Sequence, residues 1–172
     1  MQIYIGCSLT HVPRSEFEAY TQRIHSLAEN LRLSGDHAVS YALVNSDPQL
    51  ANRPYEERAR LCYAWDRRMV EQADVLVAEV SFPSTGLGIE MQIADNEDIP
   101  IIVCFQRGVD HKALPVNYEN PDHTIHNLQI GEGFVSLMAL GLPSVYRVIG
   151  YDDTRSLAND VISTLQELDS TV

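Results

Sequence analysis

Two stretches of the chain, residues 75–80 (Val-Leu-Val-Ala-Glu-Val) and 99–105 (Ile-Pro-Ile-Ile-Val-Cys-Phe), run almost without a polar side chain. A strand of that composition has no face for water, which is the pattern of parallel strands covered by helices on both sides. Parallel strands cannot be joined by hairpins and need crossover segments, usually helical. The segments between the apolar runs supply them. Phe17, Tyr20, Ile24, Leu27 and Leu31 recur at alternating spacings of three and four, an amphipathic helix that Ser34-Gly35 stops. A second helix is expected over residues 54–72, opened by Pro54, with others over 89–96, 134–140 and 154–168. Short β-prone runs at 3–5, 38–44 and 145–149 complete the alternation. The expectation is one α/β domain over residues 1–172: a doubly wound, Rossmann-like or flavodoxin-like sheet of about five parallel strands with helices on both faces.

Residues 106–133 break the rhythm. They are polar, carry His111, His123 and His126, and read as a long irregular excursion. The histidines are read as surface groups, since the His123/His126 spacing is a poor ligand set, and neither a metal nor a cofactor is expected. Acidic residues outnumber basic ones 24 to 12, giving a formal charge of −12. That excludes a nucleic-acid polymer as the main partner, because neutralising many phosphates takes a basic face. Apolar runs are too short for a membrane span, no leader is evident, and three unevenly spaced cysteines read as reduced thiols; a cytoplasmic protein is expected.

Open parallel sheets bind ligands at the carboxyl ends of their strands. Two loops qualify by composition: Gly6-Cys7-Ser8-Leu9-Thr10, and Ser81 through Gly88 ahead of the helix at Ile89. Small residues, hydroxyls and free amides at a helix start hold a phosphate without net positive charge. Two carboxylates stand beside them. Asp66 shares a helical stripe with Cys62 and Met69 and should face inward, unless it pairs with Arg67 or Arg68. Glu90 follows Gly86-Leu87-Gly88 and is placed in the first turn of its helix. Glu79, in the buried strand, is read as closing a hydrogen-bond network at the strand end.

These residues resemble the nucleoside 2-deoxyribosyltransferase superfamily, and within it the 2′-deoxynucleoside 5′-monophosphate N-glycosidases. The resemblance is carried by Ile3 through Ser8, by Asp66 ahead of Gln72 through Val80, by Pro83-Ser84-Thr85-Gly86-Leu87-Gly88-Ile89-Glu90, and by Val135-Ser136-Leu137-Met138. It covers most of the chain outside 106–133. It implies that Glu90 is the nucleophile on the sugar C1′, giving a glycosyl-enzyme intermediate. Asp66 would orient the sugar and assist the departing base, and Tyr4 would position Glu90. It implies that Ser8, Ser84 and Ser136 bind the 5′-phosphate, the last across a homodimer interface with shared sites, and that Gly86 and Gly88 give close backbone approach. The chain departs from the glycosidase pattern at Thr10, where an arginine is usual, and at Ala42, where a histidine is. The implied activity is hydrolysis of the base–sugar bond of a nucleoside 5′-monophosphate. The alternatives are base exchange between nucleosides by a deoxyribosyltransferase, and a non-catalytic nucleotide-binding protein.

Overall fold

A computed structural model describes residues 1–108 and 112–170. In chain order its elements are β1 (Gln2–Cys7), α1 (Phe17–Ser34), β2 (Ala38–Tyr41), α2 (Ala42–Asn45), α3 (Asp47–Leu50), α4 (Tyr55–Glu71), β3 (Val75–Glu79), α5 (Thr85–Asn96), β4 (Ile101–Gln106), β5 (Asn117–Glu119), β6 (Ile125–Asn127), α6 (Leu137–Leu140), β7 (Val145–Tyr151) and α7 (Thr154–Asp169). Five strands form one parallel sheet in the order β2-β1-β3-β4-β7, the flavodoxin-like arrangement of the doubly wound class.

Alternate residues of each central strand enter opposite layers, as the two-residue strand period dictates. Ile3, Ile5, Val75, Val77, Ile102 and Cys104 pack with Tyr20, Ile24, Leu27 and Leu31 of α1 and with Leu157, Val161 and Leu165 of α7. Tyr4, Leu76, Ala78, Ile101 and Val103 pack with Val70 of α4 and with Leu87, Met91 and Ala94 of α5. Each central strand is thereby buried on both sides, which is why its sequence carries almost no polar residue.

Three elements differ from the sequence reading. β2 stops at Tyr41 instead of running to Val44, because Asn45 Oδ1 accepts the Tyr41 N–H at 3.1 Å and turns the chain into α2. α5 begins at Thr85, four residues before the expected start, so Gly86 and Gly88 lie inside it and Glu90 falls in its second turn. A glycine costs a helix about 1 kcal/mol. Here burial of Leu87 and Met91, at about 1.5–3 kcal/mol each, together with the Ser84 cap offsets two of them. The 106–133 excursion holds an antiparallel hairpin, β5 on β6, turned at residues 120–123 with His123 in the left-handed region (φ 67). Its strands are three residues long and exposed throughout, so they leave no alternating signal in the sequence.

Candidate active site

β1 and β3 are neighbours whose crossovers leave in opposite directions, β1 toward β2 and β3 toward β4, so their carboxyl ends open a crevice between Cys7 and Glu79, the last pair in register. The loops beyond them are stitched together. Ser8 Oγ donates to the Phe82 carbonyl, the Ser8 N–H donates to the Tyr20 hydroxyl at 3.0 Å, and Tyr20 donates to the Glu79 carbonyl at 3.4 Å. Ser8 is fully buried and its hydroxyl proton is engaged.

On the α4/α5 face of that crevice, the Tyr4 hydroxyl donates to Glu90 Oε1 at 3.0 Å. Gly6 makes room for this carboxylate: a β-carbon there would stand 2.9 Å from Glu90 Oε2 and 2.6 Å from Leu87 Cδ1. Asp66 approaches from α4, with its Oδ2 accepting from the Cys62 thiol at 3.3 Å, one helical turn back. Glu90 Oε2 and Asp66 Oδ1 are sealed from solvent and receive no hydrogen bond from the protein. A buried polar atom without a partner costs about 1–3 kcal/mol, and such atoms collect where a ligand is meant to complete them. Burial and the nearby Asp66 carboxylate push the Glu90 carboxyl up to about 8 against the pull of the Tyr4 bond. Burial and the same carboxylates raise the Tyr4 phenol and the Cys62 thiol, so both stay protonated as donors.

Ser84 caps α5, its Oγ accepting from the Leu87 N–H at 3.2 Å, while Gly88 N–H reaches the Ser84 carbonyl. Among the described residues the Thr85 and Gly86 N–H groups have no acceptor, and no acidic side chain occupies the first turn. The positive end of the helix is left to an anion. Ser84 and Gly88 border a cavity of about 610 Å³ closed on its far side by Phe134, Val135 and Ser136. Ser136 is exposed and caps α6 through the Met138 N–H at 3.3 Å. The structure therefore collects the expected residues in two groups: Tyr4, Asp66 and Glu90 on one flank of α5, Ser84, Gly88 and Ser136 around the cavity on the other. Gly86 is exposed at the start of the helix between them, and Ser8 lies beneath.

Glu79 closes a network, as its sequence position suggested. Its Oε1 accepts from Tyr151 at 2.6 Å and from Ser81, whose Oγ in turn accepts the Gln106 N–H at 2.8 Å. The carboxyl ends of β3, β4 and β7 are held in one set of bonds. Neither Tyr151 nor the Cys62–Asp66 contact was singled out from the sequence; the shared stripe of Cys62 and Asp66 was the available signal. Among the described residues Asp66 has no ion pair with an arginine, and Arg67 pairs with Glu71 at 2.6 Å. His123 and His126 are exposed, and His111 lies outside the described residues.

The same architecture is found in a Clostridium botulinum CMP N-glycosidase, with TM-score 0.56 and 15% identity over 94% of this chain and 97% of that one. A 2-deoxyribosyltransferase from Bacillus psychrosaccharolyticus superposes equally well, with TM-score 0.56 and 14% identity over 92% and 91%. At 14–15% identity these likenesses show a shared fold. Parts of the chain are also similar in sequence to curated proteins. Proteins named "Putative 2′-deoxynucleoside 5′-phosphate N-hydrolase 1" are 39% identical over 62 residues in Syntrophotalea carbinolica (36% of this chain, 44% of the relative) and 29% identical over 97 residues in Methanosarcina barkeri (56% and 58%). The chain thus spans about half the length of the curated relatives it matches. No family model matches the chain. No helix among the described residues is long and apolar enough to cross a membrane.

Proposed function

We propose that the protein is an N-glycosidase that hydrolyses the base–sugar bond of a (deoxy)nucleoside 5′-monophosphate. The observation that carries this reading is the Tyr4–Glu90–Asp66 set, with one sealed and unsatisfied oxygen on each carboxyl group. Burial and the Asp66 charge keep a proton on Glu90 at neutral pH. As that proton passes to Asp66, Glu90 attacks C1′ as a carboxylate steadied by Tyr4. The C1′–N bond breaks as Asp66 gives its proton to the departing base. Asp66, now a carboxylate, then takes a proton from water as that water displaces Glu90 from C1′, and the pair regains its starting state.

The phosphate is assigned to the start of α5. The free Thr85 and Gly86 N–H groups and the Ser84 hydroxyl supply donors there, one helical turn, about 6 Å of rise, before Glu90. Ser136 adds a donor across the cavity. Leu137 and Met138 beside it are 47% and 83% exposed and form the apolar surface that a second copy covers in a homodimer with shared sites. Ser8 supports the phosphate loop from below through its bond to Phe82.

The test is incubation with a panel of nucleosides and nucleoside monophosphates, followed by detection of free base. Base release from monophosphates supports the reading, and none from any member removes it. Because the deoxyribosyltransferase shares the fold equally, each reaction is repeated with an acceptor base. A new nucleotide formed at the expense of free sugar phosphate, or a new nucleoside at the expense of free sugar, shows transfer. Calorimetric binding without turnover shows the non-catalytic alternative.

A further inference from the structure

A second cavity, of about 460 Å³, lies on the same face of the sheet toward the amino ends of the strands, between β1, β2, the α2–α3 segment and α4. It shares no residue with the cavity beside Ser84 and does not include Tyr4, Asp66 or Glu90. Its charge is unlike the rest of the molecule. In a chain with twice as many acidic as basic residues, this lining holds two arginines, Arg53 and Arg68, and no carboxylate. Neither guanidinium has an ion pair or hydrogen bond among the described residues.

Arg53 is nonetheless held in place. Arg58 donates to the Arg53 carbonyl at 2.9 Å and to the Ala51 carbonyl at 3.2 Å, fixing the loop, and the Arg53 guanidinium stands 5.9 Å from the centre of the Trp65 ring. The walls offer open polar groups as well. Asn45 spends its Oδ1 on the Tyr41 N–H and Gln49 its amide nitrogen on the Val44 carbonyl, which leaves the Asn45 NH₂ and the Gln49 oxygen free toward a ligand. A guanidinium fork matches the oxygens of a phosphate, and the volume exceeds what a bare anion fills. We propose that this cavity binds a phosphomonoester of nucleotide size, its phosphate on Arg53 and Arg68 and its body against Trp65 and the two amides. The site is independent of the reaction assigned to Glu90.

Trp65 is the only tryptophan and lines this cavity, so intrinsic fluorescence responds to a ligand there. The protein is titrated with a nucleoside 5′-monophosphate, ribose 5-phosphate, inorganic phosphate and the unphosphorylated nucleoside, and the nucleotide titration is repeated in Arg53→Gln/Arg68→Gln. The expected result is a saturable emission change with the nucleotide, at least tenfold weaker binding of inorganic phosphate, none with the nucleoside, and a loss of at least tenfold in affinity in the double variant. No change with the nucleotide overturns the proposal. So does a nucleotide affinity that is unchanged in the double variant, and so does inorganic phosphate binding as tightly as the nucleotide. Base release by the double variant separates the two assignments. It is expected to be unchanged, and it stands or falls with Glu90 whatever the emission shows.

Discussion

The Tyr4 hydroxyl donates a 3.0 Å hydrogen bond to Glu90 Oε1 from the middle of a strand 86 residues away in sequence. Tyr4 is fully buried at the sheet, so the bond fixes the carboxyl group against a rigid element. One oxygen of Glu90 is held there; the other lies beside Gly6, sealed from solvent and without a hydrogen bond among the described residues. Burial and the nearby Asp66 charge keep the Glu90 carboxyl protonated up to about 8.

Glu90→Gln is expected to lower base release by at least ~10³-fold while the fold persists, as loss of a covalent nucleophile does elsewhere. Circular dichroism checks the fold and a free-base assay the rate. Near-native turnover would remove Glu90 as nucleophile.

The same variant carries a stability signature. Glu90 holds its proton to about 8 in the folded protein against an ordinary 4.5, so the folded state binds that proton more tightly than the unfolded chain. Its contribution is complete below about pH 4.5 and is lost as pH rises through about 8. Glu90→Gln should therefore match the native protein in acid and exceed it above pH 8, by at most roughly 5 kcal/mol, on the order of 10–20 °C in Tm. Thermal melts at pH 4.5 and 8.5 measure the difference, and equal Tm values at both would contradict the buried, proton-holding Glu90.

Tyr4→Phe removes the bond that lowers the Glu90 pKa. With one proton needed on the pair, kcat/KM of the native protein should fall above about pH 8. In the variant that alkaline limb should move upward while the rate at neutral pH drops by roughly tenfold or more, in line with loss of a hydrogen bond to a charged group. A profile with an unmoved limb would show that Tyr4 does not act on Glu90.

Gly6→Ala places a methyl group 2.9 Å from Glu90 Oε2 and 2.6 Å from Leu87 Cδ1. Both contacts are the ends of side chains, so the strand survives and the carboxyl group moves. Overpacking of this kind costs roughly 1–3 kcal/mol. The predicted outcome is a modest fall in Tm with a tenfold or larger fall in kcat and a smaller change in KM. If kcat keeps its native value, the position of Glu90 is not set by this contact.

Ser136→Ala tests the phosphate assignment. A hydrogen bond to a charged group contributes about 1.5–3 kcal/mol, so kcat/KM for the monophosphate should fall roughly 10- to 100-fold. Any slower reaction of the bare nucleoside should be untouched. Equal losses on both substrates would mean that Ser136 does not meet the phosphate. Because a second copy covers Leu137 and Met138 beside this serine in the proposed homodimer, dilution below the dimer dissociation constant should produce the same selective loss, which sedimentation at matched concentrations can follow.

Much of this protein is written locally. The unbroken apolar runs around Leu76 and Ile102 specify strands covered on both sides, and the three-four spacing from Phe17 to Leu31 specifies a helix against them. Such signals arise within a dozen residues and survive any arrangement of the rest. They place Asp66 inward beside Cys62, and they put Glu79 in a buried strand where only a bonded carboxyl group is stable.

The tertiary structure decided what depends on distant segments meeting. The start of α5 at Thr85 requires the sheet to bury Leu87 and Met91, because two glycines and a serine by themselves read as a loop. The hairpin within 106–133 packs no face and so left no pattern. The bond from Tyr4 to Glu90, the clearance at Gly6 and the cavity joining Ser84 to Ser136 rest on strand order and register, which are set by the free energy of the whole sheet. The carboxyl groups were therefore legible as residues that had to be satisfied. Which groups surround them, and which oxygens are left open, became fixed only when β1, β3, α4 and α5 closed on one another.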